Sequence, residues 1–556
     1  MFSLVPMGLV VVGIGRAVGH GWGAKAVSGA GAGAWTFQGG DVALFLSSLG
    51  WALGVGVLAT VLGLPGGWVL SKWSDGKRRG GGGVWWWSLV VLPLVLPNYI
   101  AYAGWGVLRG PRTPLYDWLE WLSTHGYPLA PVLAGRVLAA ISLAVWGSAI
   151  ASLVLRNGLA RVSGGVLEQL AVDGGAGGSV DGAGRGRLWA RMVAAIGRAR
   201  VVARLAFPGV LMSVGVVSLV MLGSAVPFHL ADVPTYAIKV WFELTTNPGG
   251  ADGWIAAWPT MLIAAVCAGV AAWRLHLDGS DGAPDADLDG NVCTHPCLKW
   301  AKFGVVGVVL VGVVGPMVLL VGDMKSYSPI VSVAKANARE IGQTLTISAW
   351  VGVCLVLVCT ASWVVGDDRR RGAAWLRAVV TFVMLVLGLV PGVLVGAAMR
   401  RGADLLGDRV MESDAMIVLA HVARFGFVAM LVGEALRRTE AKELRALRRL
   451  EREGGTLAAW WGASFRPAIG VLIGVGLLGS VLSGHEIETT ILVQPSAGSG
   501  GLAHVVLGYL HFQRMDDLAA SAVHIVGASL ALGAAASVLV GWSWRERTMA
   551  RARQAP

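Results

Sequence analysis

Between Phe45 and Leu70 the chain runs without a single charged side chain. An apolar run of that length, wound as a helix, matches the roughly 30 Å hydrocarbon core of a bilayer. Runs of this kind recur along the sequence. They span Phe2 to Gly15, Phe45 to Leu70, Val84 to Leu108, Val132 to Leu155, Phe207 to Pro227 and Trp254 to Trp273 in the first part of the chain. In the second they span Phe303 to Val321, Thr344 to Val365, Leu376 to Ala398, Ala415 to Leu436, Ala468 to Leu482 and Leu518 to Trp542. At about 20 residues per crossing this pattern predicts an all-α integral membrane protein with about twelve transmembrane helices. Composition agrees: 55% of residues are hydrophobic and 14% charged, against roughly 25% charged in a soluble domain. The 80 glycines and 25 tryptophans suit close helix contact in lipid and anchoring at its surface. Phe2 to Gly15 has no Lys or Arg before it and no convincing cleavage site after it, so it is expected to be a retained first span.

A formal charge of +12 would suggest nucleic acid as partner of a soluble protein. Here the cations gather in alternate loops and report topology instead. With the first residue placed in the cytoplasm, Lys72, Lys77, Arg78, Arg79, the stretch Arg156 to Arg204, Arg369 to Arg371, the stretch Arg437 to Arg466 and the tail Arg545 to Arg553 all fall inside. Arg400 and Arg401 are the exception, landing outside. Both termini are then cytoplasmic. The five cysteines suggest no disulfide framework, since Cys354 and Cys359 lie within an apolar run and only Cys293 and Cys297 are close neighbours in a loop.

An internal repeat is legible. Trp68-Val69-Leu70 matches Trp363-Val364-Val365, and Pro97 in LPLVLPNYI matches Pro391 in LGLVPGVLV at nearly the same separation. Pro208 and Pro467 are more closely spaced, so the first copy carries extra residues, either in Arg109 to Pro131 or in the Gly-rich stretch Gly177 to Gly197. Two parallel six-helix halves are expected, at 1–274 and 302–544. Residues 275–301 form an acidic, Gly-rich cytoplasmic linker, and 545–556 a basic tail.

In each half a charged insertion between the fourth and fifth spans precedes a helix expected to start at a proline. That arrangement resembles the fused two-copy permease of binding-protein-dependent ABC importers, the MetI-like type associated with ferric iron. The family's cytoplasmic loop reads Glu-Ala-Ala, then Gly, then an apolar-Pro pair. The first copy resembles it from Leu167 to Ala176, with Glu168, Ala171, Gly175 and Ala176, and ends at Phe207-Pro208 after an insertion. In the second copy Gly454 precedes Pro467 at the family's spacing, but Arg448, Arg449 and Leu450 replace Glu-Ala-Ala. Phe207 to Ile238, with its Val-Pro, is similar to the family's fifth span, and GHEIETTILVQP, with Glu486 and Thr490, to its Glu-x-x-x-Thr-x-x-Leu-x-x-Pro segment, although Leu492 and Pro495 each stand one residue short of that spacing. LPLVLPNYIAYAGW and AHVARF match further segments. The resemblance implies a bacterial inner-membrane permease without cofactor. Two cytoplasmic ATPase copies would dock on its inner loops and a periplasmic binding protein would deliver the substrate, ferric iron first. Thiamine, a phosphonate, a polyamine or an inorganic anion stay open. The chain contains no G-x-x-x-x-G-K-[ST] phosphate loop, so hydrolysis is assigned to a separate subunit.

Each candidate site has a plainer reading beside it. The loops around Glu168 to Ala176 and Leu450 to Phe465, with Trp460, are either docking elements with an apolar side to bury or solvated loops that set orientation. Glu486 and Glu488, near His485, are either pathway carboxylates or a capped helix end solvated in an outer loop. Arg136 and Arg424, the latter one turn after His421, either line the interior and pair with a carboxylate such as Asp414, or snorkel to an interface. His229 and Asp232 read as a wet outer loop. Cys293, His295 and Cys297 lack a fourth metal ligand. Asp285 to Pro296 opens like a calcium loop but ends on Pro where a bidentate Glu is required. His485-Glu486 lacks the second histidine of H-E-x-x-H, which excludes a zinc protease. Two rival classes remain, an ion-coupled secondary transporter and a membrane-embedded transferase. The first is expected to show mid-span carboxylates and interrupted helices, and the few carboxylates and the otherwise unexplained Arg-rich insertions argue against it. The lack of a His or Asp cluster at one face argues against the second.

Overall fold

The computed structural model describes residues 39–72, 82–111, 113–160, 185–246, 252–277, 296–365, 371–403, 405, 407–439, 465, 468–495 and 501–554. Among these every regular element is a helix, the form in which a lipid-embedded segment satisfies its own backbone. In chain order they are α1 (Gly39–Lys72), α2 (Gly82–Val91), α3 (Asn98–Gly106), α4 (Pro114–Thr124), α5 (Ala130–Ala160), α6 (Arg185–Leu222), α7 (Val226–Leu230), α8 (Tyr236–Thr246) and α9 (Asp252–Leu277). There follow α10 (Pro296–Val309), α11 (Gly315–Gly322), α12 (Ser328–Ala336), α13 (Ala338–Val365), α14 (Arg371–Leu389), α15 (Gly392–Ala403) and α16 (Asp408–Met411). The last are α17 (Asp414–Thr439), α18 (Ile469–His485), α19 (Glu488–Val493), α20 (Gly501–His511) and α21 (Met515–Gln554).

Among the described residues eight helices are long and apolar enough to cross a membrane: Gly40–Ser71, Ala130–Leu159, Arg204–Leu222, Gly253–Leu275, Leu298–Gly322, Ala338–Val364, Asp414–Arg438 and Met515–Val540. Two bent pairs bring the number to 10 if each counts as one span, and α18 is a shorter apolar helix. The chain is a multi-pass, all-helical membrane protein. The expected first span, Phe2 to Gly15, lies outside the described residues.

Two expected spans are not continuous. Val84 to Leu108 breaks into Trp85–Val95 and Asn98–Arg109 with a 73° bend, and Leu376 to Ala398 into Trp375–Leu389 and Gly392–Ala403 with a 116° bend. The cause is the proline at each break. Pro97 forces the preceding Leu96 into an extended conformation (φ −88°, ψ 118°), and Pro97 itself stays non-helical. Pro391 stands at the second break. Pro208 behaves differently from expectation. It does not start a helix but lies inside α6, which begins at Arg185, so part of the supposed Gly-rich loop Gly177 to Gly197 is helical. The run RLWARMVAAIGRARVVARLA is rich in Ala, Arg and Leu, strong helix formers that outweigh its one glycine.

Packing rests on small residues. α1 lies against α5 and α6, and α13 against α17 and α18. A Cβ on Gly63 would stand 2.8 Å from the carbonyl oxygen of Ser148, and one on Gly352 2.7 Å from that of Gly476, so both contacts need glycine. Hydroxyls close the same seams: Ser152 donates to Gly63 O at 2.9 Å and Ser480 to Ser348 O at 2.9 Å. The parts of the chain also cross over. α9 packs on α14, and α21 on α2.

The two exceptional arginines have structural work at the far side of the second bend. Arg400 Nη1 donates to Leu492 O at 3.2 Å, near the C-terminal end of α19, and the Arg401 guanidinium stands 5.7 Å from the Trp254 ring centroid. Their partners fix their position, which loop charge alone does not explain.

Candidate functional site

The two short helices α7 and α19 meet beside the bends. Gly223, just after α6, faces Pro391 closely enough that an added Cβ would lie 3.4 Å from its Cα. Gly396 of α15 backs on the main chain of Thr489, where a Cβ would lie 2.9 Å from the carbonyl oxygen. Here the structure gathers four of the five residues expected along a pathway: Glu486, Glu488, Thr490 and Arg424.

Glu488 is 9% exposed. Its Oε1 accepts the backbone N–H of Ala225 at 2.7 Å and that of Val226 at 3.1 Å. These amides open α7 and have no partner within that helix, so Glu488 caps it from a distant part of the sequence. Glu486 does the same for its own element: Oε1 accepts the N–H of Thr489 at 3.0 Å and lies 2.8 Å from its hydroxyl. The capped helix end of the plainer reading is present, and its solvation is corrected for Glu488, whereas Glu486 is half-buried. Both are helix caps, and Glu488 is shut away from water.

Beside them runs a chain of hydroxyl and imidazole groups. The Thr490 hydroxyl donates to Glu486 O at 2.7 Å. That uses its proton, so His421 Nε2, 2.9 Å away, must be the donor to Thr490 Oγ1. His421 Nδ1 then accepts from Ser483 Oγ at 2.8 Å, which completes a neutral imidazole, 2% exposed.

Arg424 lies within electrostatic reach of Glu488, but its hydrogen bonds go elsewhere. Nη1 donates to Val390 O, and to Gly388 O at 3.3 Å, carbonyls next to the Pro391 break. The expected partner Asp414 instead accepts from Gln343 Nε2 at 2.6 Å. The reason is that a broken helix leaves carbonyls without amide donors, and the guanidinium supplies them. Arg136 does not join the cluster. Its Nη2 lies 3.5 Å from Asp232 O, at a turn where Asp232 has a φ of 53°. His485 turns towards α21, with Nε2 2.9 Å from Ser529 Oγ, and His229 packs edge-on to Trp241.

Two members escaped the sequence reading. Ser483 lacks any distinctive context. Tyr99 does carry a signal, standing two residues after the matched Pro97. It is 3% exposed, its hydroxyl has no hydrogen-bond partner among the described residues, and it lies within electrostatic reach of Glu486.

Of the expected docking residues, Pro208 is exposed on α6. Glu168, Ala171, Gly175, Ala176, Gly454, Trp460 and Pro467 lie outside the described residues, as do Cys293 and His295. Among the described residues no group of three or more His, Cys, Asp or Glu is placed to hold a metal ion. The cluster thus offers buried, mutually satisfied caps and one unpartnered phenol at the junction of two short helices.

The fold defines a class, the multi-pass helical membrane proteins. No protein-family model, curated protein or solved structure matches the chain.

Proposed function

We propose that this chain is the membrane permease of a binding-protein-dependent ABC importer, with both halves of the translocation pathway fused in one polypeptide. The reading is supported by a recurring order of elements. A long span, a span broken at proline, two more spans, a short helix, an amphipathic helix and a final span occur as α1 to α9. They occur again as α13 to α21, with the short helices α4 and α16 inserted after the broken span in the two copies, α12 as an addition before α13, and α10 and α11 as a leading span. Two six-helix halves, 1–274 and 302–544, about twelve spans in all, follow from this proposal. The observation that carries it is the meeting of α7 and α19 through Glu488, the place where two such halves would share a pathway.

In this reading the insertions around Glu168 to Ala176 and Gly454 to Pro467 dock two ATPase subunits in the bacterial cytoplasm, where both termini lie. ATPase closure then rocks the two halves against each other. A periplasmic binding protein delivers the substrate, with ferric iron the first choice on the resemblance alone. Proteoliposomes containing the chain, candidate ATPases and a loaded binding protein test the proposal. Uptake should require ATP and both partners.

The buried Glu488 favours a second reading, an ion-coupled secondary transporter, because a carboxylate shielded from water is a natural proton carrier. Uptake that persists without ATPase and collapses with a protonophore would select it.

A further inference from the structure

We propose that the corner where α2, α5 and α10 meet binds the phosphate of an anionic phospholipid. The sequence places three tryptophans, Trp85 to Trp87, at the start of the first broken span. Two cations from different helices settle on them. The Arg156 guanidinium stands 5.1 Å from the Trp87 ring centroid, and Lys302 Nζ 5.3 Å from that of Trp86. Trp86 and Trp87 pack against a small core of Val69, Leu70, Val90 and Val305, which holds both rings in place.

The surroundings indicate what covers this corner. Trp85 is 64% exposed, Trp300 75% and Phe303 69%. On helices that cross a bilayer, exposed aromatic rings beside cations mark the headgroup level. Arg156 is half-buried, and among the described residues no carboxylate forms an ion pair with it. A guanidinium there has five donors, and the indole face satisfies none of them as a hydrogen-bond acceptor. A phosphate does so in forked geometry, while the acyl chains meet the exposed rings. Snorkelling to water is the simpler alternative. It gives no preference between lipids of different charge, whereas a phosphate site does. The inference is independent of what the protein transports.

The test uses the purified full chain in detergent. Thermal stability is followed while phosphatidylglycerol, phosphatidylcholine or inorganic phosphate is added, for the wild type and for Arg156→Gln/Lys302→Gln. Phosphatidylglycerol should stabilise the wild type, and the double variant should need about tenfold more of it or beyond for the same shift. Equal effects of the two lipids, an equal response of the variant, or stabilisation by inorganic phosphate alone would each overturn the proposal. Native mass spectrometry of the wild type needs no variant. Phosphatidylglycerol retained in preference to phosphatidylcholine supports the site, and no preference overturns it.

Discussion

The carboxylate of Glu488 accepts the backbone N–H of Ala225 at 2.7 Å across 263 positions of sequence. It takes the neighbouring amide of Val226 with the same oxygen. Glu488→Ala strands two buried donors, each worth about 1–3 kcal/mol, while Glu488→Gln retains an acceptor of the same shape. Denaturant unfolding in micelles should show the Ala variant losing about 2–6 kcal/mol and the Gln variant much less. An Ala variant as stable as the wild type would remove the capping role.

His421 and Thr490 should be energetically coupled. A double-mutant cycle with His421→Phe and Thr490→Val is expected to give a coupling of about 0.6 kcal/mol, the average for hydrogen bonds between membrane helices. Additive losses would mean that the 2.9 Å contact contributes nothing.

Arg424 supplies donors to the carbonyls at the Pro391 break. Both bonds leave one nitrogen, Nη1, so a lysine ammonium with three donors should restore part of what Arg424→Ala loses, and Arg424→Lys should be the milder of the two. Asp414→Asn should leave this region unaffected, because Asp414 bonds Gln343. Thermal unfolding of the three variants checks the ranking.

Glycine substitutions separate contact from open surface. A Cβ on Gly63 meets the neighbouring main chain at 2.8 Å, whereas one on Gly50 of the same helix meets nothing within 4 Å. Gly63→Leu should abolish a monodisperse peak in fluorescence-detected size exclusion, and Gly50→Leu should preserve it.

Alkaline pH should weaken the fold through Tyr236, outside the spans. Burial, and next the Asp41 carboxylate, push its phenol up from 10.0 to about 12. Its hydroxyl donates to Ala256 O at 2.5 Å. Above pH 10 the unfolded phenol ionises while the folded one keeps its proton, so the contribution to stability is full below pH 10 and is lost as pH rises towards about 12. Tyr236→Phe should lose less stability over that window than the wild type, as followed by circular dichroism.

Much of the fold was legible because lipid imposes length and apolarity on each crossing, and among the described residues eight helices, or up to 10 with the bent pairs, answer the roughly twelve crossings expected. The bends were not read as bends, although Pro97 and Pro391 had been singled out as matching positions. Proline alone does not separate a broken span from a tolerated one, and α1 and α9 hold Pro65 and Pro259 inside continuous helices. Glu486, Glu488, Thr490 and Arg424 were found from charge and motif. Their partners were not, because main-chain amides at Ala225 and Val226 and carbonyls at Gly388 and Val390 leave no trace in side-chain identity.

The junction of α7 and α19 is sealed by valence more than by bulk. Parting the two elements would expose amides that hydrocarbon cannot satisfy. Any open form must therefore bring a substitute oxygen, from water or from cargo, to the place that Glu488 vacates.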